Sequence, residues 1–150
     1  MFTKDKKVIA WFPAVIWMGV IFYLSHQPAQ TSSELSSGMT DLVVHFLAIF
    51  FPLEFDVESI HFYIRKSAHF TAYLLLGMFV LFALRQMRWK RLVIAVCICV
   101  LYAMSDEFHQ LFVPGRSGEI RDVFIDSIGA CVGIGGYYIG SKIVTFLRKK

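Results

Sequence analysis

The chain has 150 residues, room for one domain, and 57% of them are hydrophobic and 16% aromatic, with a mean hydropathy of +0.60. A soluble domain of this size does not carry so many apolar residues in long runs, so the composition points to a single all-α, polytopic membrane domain over residues 1–150. The net charge of +4 does not point to nucleic acid, because the charges are sorted along the chain. Eleven of the 15 basic residues, Lys4, Lys6, Lys7, Arg85, Arg88, Lys90, Arg91, Lys142, Arg148, Lys149 and Lys150, lie at alternate ends of the apolar runs. Ten of the 11 acids, all except Asp5, lie at the opposite ends. By the positive-inside rule the basic ends are cytoplasmic, which makes this a multi-pass cell-membrane protein with both termini inside. Basicity then reports orientation and attraction to anionic lipid.

Taken in chain order, the uncharged run from Val8 to Leu24 is about 26 Å long as a helix and is the first predicted span, 8–24. Pro13 is expected to kink it, and Trp11 and Trp17 to anchor it at the interface. No Ala-x-Ala type of cleavage site follows, so it reads as a retained helix and not as a signal peptide. Ser25-His26-Gln27-Pro28 closes that helix on the outer side, and the Ser/Thr-rich stretch from Ala29 to Thr40 reads as a loop. Asp41 to Leu53 is apolar but stops at Pro52 before it can span, so an interfacial or re-entrant helix covering the outer face is expected in this first outer loop. Asp56 has the character of an N-cap and Glu58 suits the positive end of a helix dipole. The helix they start runs through Arg65-Lys66 into the second span, 67–84.

Arg85 to Arg91 is a short basic turn. The third span, 92–112, stays uncharged only through Ser105, so it must carry Asp106, Glu107 and Gln110 into the outer third of the membrane to reach the far side. The fourth span, 122–140, brings Asp126 with it. Its glycines, Gly129, Gly133, Gly136 and Gly140, form Gly-x-x-x-Gly pairs that suit close helix contact, within the bundle or in a homo-oligomer. Cys97, Cys99 and Cys131 all fall inside spans, where a thiol behaves as a small apolar group, and no disulfide framework or zinc spacing is present.

Counting from each cytoplasmic collar places the ionisable groups at one height. Arg85 to His69, Arg91 to Asp106 and Lys142 to Asp126 are about 24, 22 and 24 Å along straight helices. The faces agree too. Lys66, His69 and Tyr73 share a stripe of the second span, Asp106 and Gln110 are one turn apart on the third, and Asp122, Asp126, Gly129 and Gly133 share a stripe of the fourth. Charge facing lipid is so unfavourable that these stripes should meet inside the bundle. A polar pocket open to the outer side is expected, roofed by Pro114-Gly115-Arg116 and by the 41–53 segment.

The motifs Arg65-Lys66-Ser67-Ala68-His69-Phe70 with Tyr73, Asp106-Glu107-Phe108-His109-Gln110 followed by Pro114-Gly115-Arg116, and Asp122 with Gly129 resemble the signature of the VanZ-like membrane proteins. The resemblance covers most of residues 60–135, with Ser25 to Pro28 as a weaker fourth piece. It implies a small integral membrane protein and, through the protein that gives the family its name, a link to low-level resistance to the glycopeptide teicoplanin. The chain departs from the family pattern at Asp126, where asparagine is expected, and at His26, which interrupts what is often a Ser-Ser-Gln run. The first departure adds a buried carboxylate.

Three functions are compatible with such a layer. It can bind or handle an anionic lipid headgroup or lipid-linked cell-wall precursor, or a glycopeptide-related ligand, using Lys66, His69, Tyr73, Asp106, Glu107, Gln110, Arg116, Asp122 and Asp126. In that reading Lys66 and Arg116 take the phosphate and Phe70, Phe108 and Phe112 flank the tail. It can be the site of a hydrolase or transferase acting on a lipid or prenyl-linked substrate, with His69 and Asp106 or Glu107 as acid and base. Or it can simply fix helix packing. A metal between His69, His109 and carboxylates is chemically allowed, but Glu107-Phe108-His109 lacks the two-histidine spacing of a zinc helix, so no metal and no cofactor is expected. Polar residues at a single level leave the cytoplasmic half apolar, which argues against a channel or transporter.

Overall fold

A computed structural model describes residues 8–50, 56–85 and 88–148, all of them helix or short connection. Expectations that concern Lys4, Asp5, Lys6, Lys7, Pro52, Leu53, Lys149 and Lys150 lie outside the described residues. The helices are α1 (Phe12–Ser25), α2 (Ala29–Phe50), α3 (Val57–Leu84), α4 (Trp89–Gln110) and α5 (Ile120–Leu147).

Of these, α3, α4 and α5, with 28, 22 and 28 residues, are long and apolar enough to cross a membrane. The first helix is shorter than its apolar run, because a turn at Ala10-Trp11 precedes it and Pro13 lies in its first turn. A proline there lacks only an amide hydrogen that would have no helical partner anyway, so it starts α1 instead of kinking it. At 14 residues α1 covers about 21 Å.

The expected loop over 29–40 is instead the first half of α2, a continuous helix of 22 residues. Hydroxyls make this possible by donating back to the helix's own carbonyls. Ser36 Oγ donates to Ser32 O at 2.9 Å, Thr40 Oγ1 to Ser36 O at 2.8 Å and Ser37 Oγ to Glu34 O at 2.8 Å. The apolar run at 41–50 therefore extends a helix already under way and does not begin one.

The start of α3 follows the expected pattern. The Asp56 carboxylate accepts from the Glu58 amide at 3.2 Å and from Ser59 Oγ, and the helix continues unbroken through Arg65 and Lys66. It ends at Arg85, whose φ of 51° is left-handed. Helix α4 ends at Gln110, two residues before the expected limit, and Gly115, with φ of 74°, turns the chain back toward α5.

Burial is inverted relative to a soluble protein. Asp126 is fully buried, while its neighbours Phe124 and Ile128 are 65% and 57% exposed. Small residues let α3 and α5 meet backbone to backbone. A methyl group added at Gly129, Gly133 or Gly77 would run into the carbonyl oxygen of Phe70, Leu74 or Ala130 respectively. Gly136 and Gly140 have open space around them, so of the four glycines suited to a dimer, two are already occupied within the chain. Below the polar layer the core is Leu76, Val80 and Leu81 of α3 with Ala95 and Cys99 of α4 and Ile134 of α5.

Candidate functional site

At the end of the bundle where α1 stops and α5 starts, four carboxylates, Asp106, Glu107, Asp122 and Asp126, are each no more than 4% exposed. Helices α3, α4 and α5 each contribute to this layer, because the i, i+3 and i, i+4 stripes of the sequence turn toward one another. His69 Nδ1 lies 3.5 Å from Asp126 Oδ1. Lys66 Nζ pairs with Asp122 and also reaches Glu119 Oε2 at 3.4 Å. Asp106 Oδ2 accepts from Ser25 Oγ at 2.8 Å and from Gln110 Nε2 at 3.4 Å.

Gln110 is a relay. Its Nε2 also donates to Glu107 Oε1 at 3.2 Å, and its Oε1 accepts from Arg116 Nη1 at 3.1 Å, while Arg116 Nη2 donates to Leu24 O at 3.3 Å. Glu107 Oε2 accepts from the Glu119 amide at 2.9 Å, placing a carboxylate against the unsatisfied amides that begin α5.

A cavity of about 620 Å³ adjoins the layer, between α1, α2 and α3. Its lining combines Arg65, Arg116, His69, Asp106 and Ser25 with the apolar Trp17, Ile21, Leu24, Met39 and Leu75. Burial, and after it the like charge of Arg65, pushes the Arg116 guanidinium below its ordinary value. Arg65 and Arg116 thus bring two like charges, close enough to feel one another, to the lining of a largely apolar cavity.

Several residues are placed differently from the sequence expectation. Lys66 does not share the cavity with Arg116: it faces α5, and Arg65 holds the cavity position. Arg65 lies one turn before His69 and two before Tyr73, a second stripe legible in hindsight beside the Lys66 one. His69 is closest to Asp126, and His109 is not with it. His109 Nε2 lies 3.1 Å from His26 Nδ1, and its ring packs 4.6 Å from that of Phe22. Phe108 and Phe112 are exposed and pack on each other at 5.3 Å, so the cavity takes its apolar wall from α1, α2 and α3 instead. The cover is α2 around Ser32 and Ser36, upstream of the expected 41–53 segment, held where the Ala29 amide donates to Pro114 O at 3.2 Å.

Helices with apolar outer faces, three of them long enough to cross a bilayer, around a buried ionisable layer define a membrane protein. Residues 10–142 match the family model of VanZ/LLP1, and the chain belongs to that family. No curated protein and no solved structure matches it.

Proposed function

We propose that this is a multi-pass cell-membrane protein whose cavity binds an anionic lipid headgroup or a lipid-linked cell-envelope precursor. The observation that carries the reading is a single cavity of about 620 Å³ lined both by Arg65 and Arg116 and by apolar side chains of α1, α2 and α3. Arg65 and Arg116 take the phosphate oxygens, Arg by paired N–H contacts, and Ser25 and Asp106 receive hydroxyls or an amine. The resemblance to the protein that gives the family its name extends this proposal to a part in teicoplanin tolerance.

The test is mass spectrometry of lipids retained by the purified wild type, Arg65→Gln and the surface control Lys142→Gln. Arg65 is suited because no carboxylate of the described residues pairs with it, so its loss removes a contact for the guest and not a brace of the bundle. Wild type and Lys142→Gln are expected to enrich one anionic class, and Arg65→Gln to lose it. Equal lipid content in all three rejects the reading. A second reading, a membrane-embedded hydrolase or transferase, is favoured by His69 standing beside Asp126 on the edge of the same cavity, as a base and its orienting acid would. It requires turnover of a bound lipid that stops in His69→Gln while binding persists.

A further inference from the structure

We infer that His69, Glu107 and Asp126 form a binding site for a divalent transition-metal cation of the zinc or manganese kind. One ligand atom from each lies within 4.8 Å of the others, and the three come from α3, α4 and α5. A single cation drawn in among them would take one imidazole nitrogen and two carboxylates as ligands, with small side-chain shifts closing the set and positions left open for water or a substrate oxygen.

Two observations beyond proximity point to a cation. The first is Asp126: it is fully buried, His69 Nδ1 stands 3.5 Å from its Oδ1, and neither of its oxygens accepts a well-formed hydrogen bond from any described residue. A buried carboxylate without well-formed hydrogen bonds is costly, and a metal ion is one of the few partners that satisfies both oxygens. Asp106 Oδ1 and the Tyr73 hydroxyl, also buried and without partners, belong to the same layer.

The second is charge. The buried layer holds four carboxylates, Asp106, Glu107, Asp122 and Asp126, and two cations are hydrogen-bonded into it, Lys66 on Asp122 and Arg116 on Gln110. Carboxyl groups outnumber those cations by two, so the layer has acidic groups to spare for a divalent ion, and the neutral imidazole is the form that ligates. A mixed nitrogen and carboxylate set suits zinc, manganese or iron better than calcium or magnesium, which take oxygen alone. The sequence allowed a metal with His69 and His109 but did not point to this set, because the ligands sit on three helices, with no spacing that repeats along one of them. The inference does not depend on what fills the cavity.

The experiment strips the detergent-solubilised wild type with chelator and titrates it with Mn²⁺ and Zn²⁺, following bound metal by mass spectrometry and Mn²⁺ by pulsed electron paramagnetic resonance. About one ion per chain is expected, with nitrogen hyperfine coupling from His69 that disappears in His69→Gln. Asp126→Asn and Glu107→Gln should each weaken binding by about tenfold or more, whereas Asp56→Asn, outside the layer, should leave it unchanged. Stripped wild type that takes up neither ion, Mn²⁺ bound without nitrogen coupling, or unaltered binding in the two carboxamide variants each overturns the inference. The wild-type titration decides the matter even where a variant fails to fold.

Discussion

At the scale of single residues, position 133 decides whether α3 and α5 can touch. Gly133→Ala would drive a methyl group into the Leu74 carbonyl, which cannot move aside as a side chain can. The expected cost is about 1–3 kcal/mol, read as a lower melting midpoint in detergent. Gly136→Ala, in open space on the same helix, should be neutral or slightly stabilising, since alanine suits a helix better than glycine. Asp56 offers a pH-dependent test. The hydrogen bond from Ser59 Oγ, followed by the Ser59 and Glu58 amides, holds its carboxyl below the ordinary aspartate value. Because the folded value is the lower one, the cap stabilises at neutral pH and that stability is lost as pH falls from about 4 through the depressed value. Wild type should therefore melt above Asp56→Ala at neutral pH, and the difference should close on acidification. Both features are written in local sequence, as a glycine spacing and a cap motif. Arg65 was harder to read, because neighbouring cations on a helix face in directions that only the packing of the next helix distinguishes.

At the scale of elements, the Lys66 pair with Asp122 ties α3 to the first turn of α5. Removing one partner leaves a nearly buried charge, so Lys66→Met should cost roughly 3 kcal/mol. The double variant Lys66→Met with Asp122→Leu should recover most of that loss, because replacing both charges leaves neither stranded. A double variant no more stable than the single one would mean that Asp122 serves another partner. Helix α2 marks where local reading failed. Serine, threonine and glutamine between Pro28 and Thr40 look like a loop because their hydroxyls compete with backbone hydrogen bonds in most settings. Here the same hydroxyls bond to carbonyls one turn back, and packing against α3 keeps the helix. The boundaries of α3, α4 and α5 were legible to within a turn at most ends because charge and capping residues stop them. The long C-terminal extension of α5 to Leu147 was not, since the apolar run of the span closes at Gly140 while the helix continues past Lys142, an exposed residue on it.

At the scale of the molecule, the charge sorting makes a prediction about sidedness. In a background lacking Cys97, Cys99 and Cys131, a cysteine at Arg88 should react with a membrane-impermeant reagent only after the cytoplasmic face is opened. A cysteine at Ser117 should react from outside in intact cells. Labelling of both from one side would overturn the proposed orientation. The convergence of His69, Asp106 and Asp126 near one level was legible from helix lengths alone, because lipid allows so few other arrangements of buried charge. What those groups pair with was not. Rotation of a helix by a fraction of a turn exchanges Lys66 for Arg65, and distance along the chain is blind to that angle.

The carbonyl-on-glycine seating of α3 against α5 has a mechanical corollary. Two rods interlocked at Gly77, Gly129 and Gly133 have no slack along their seam, so they act as a fixed post. On the proposed reading, swelling of the neighbouring chamber to admit a lipid would fall to the elements opposite that post, α1, α2 and their joint at Gln27-Pro28.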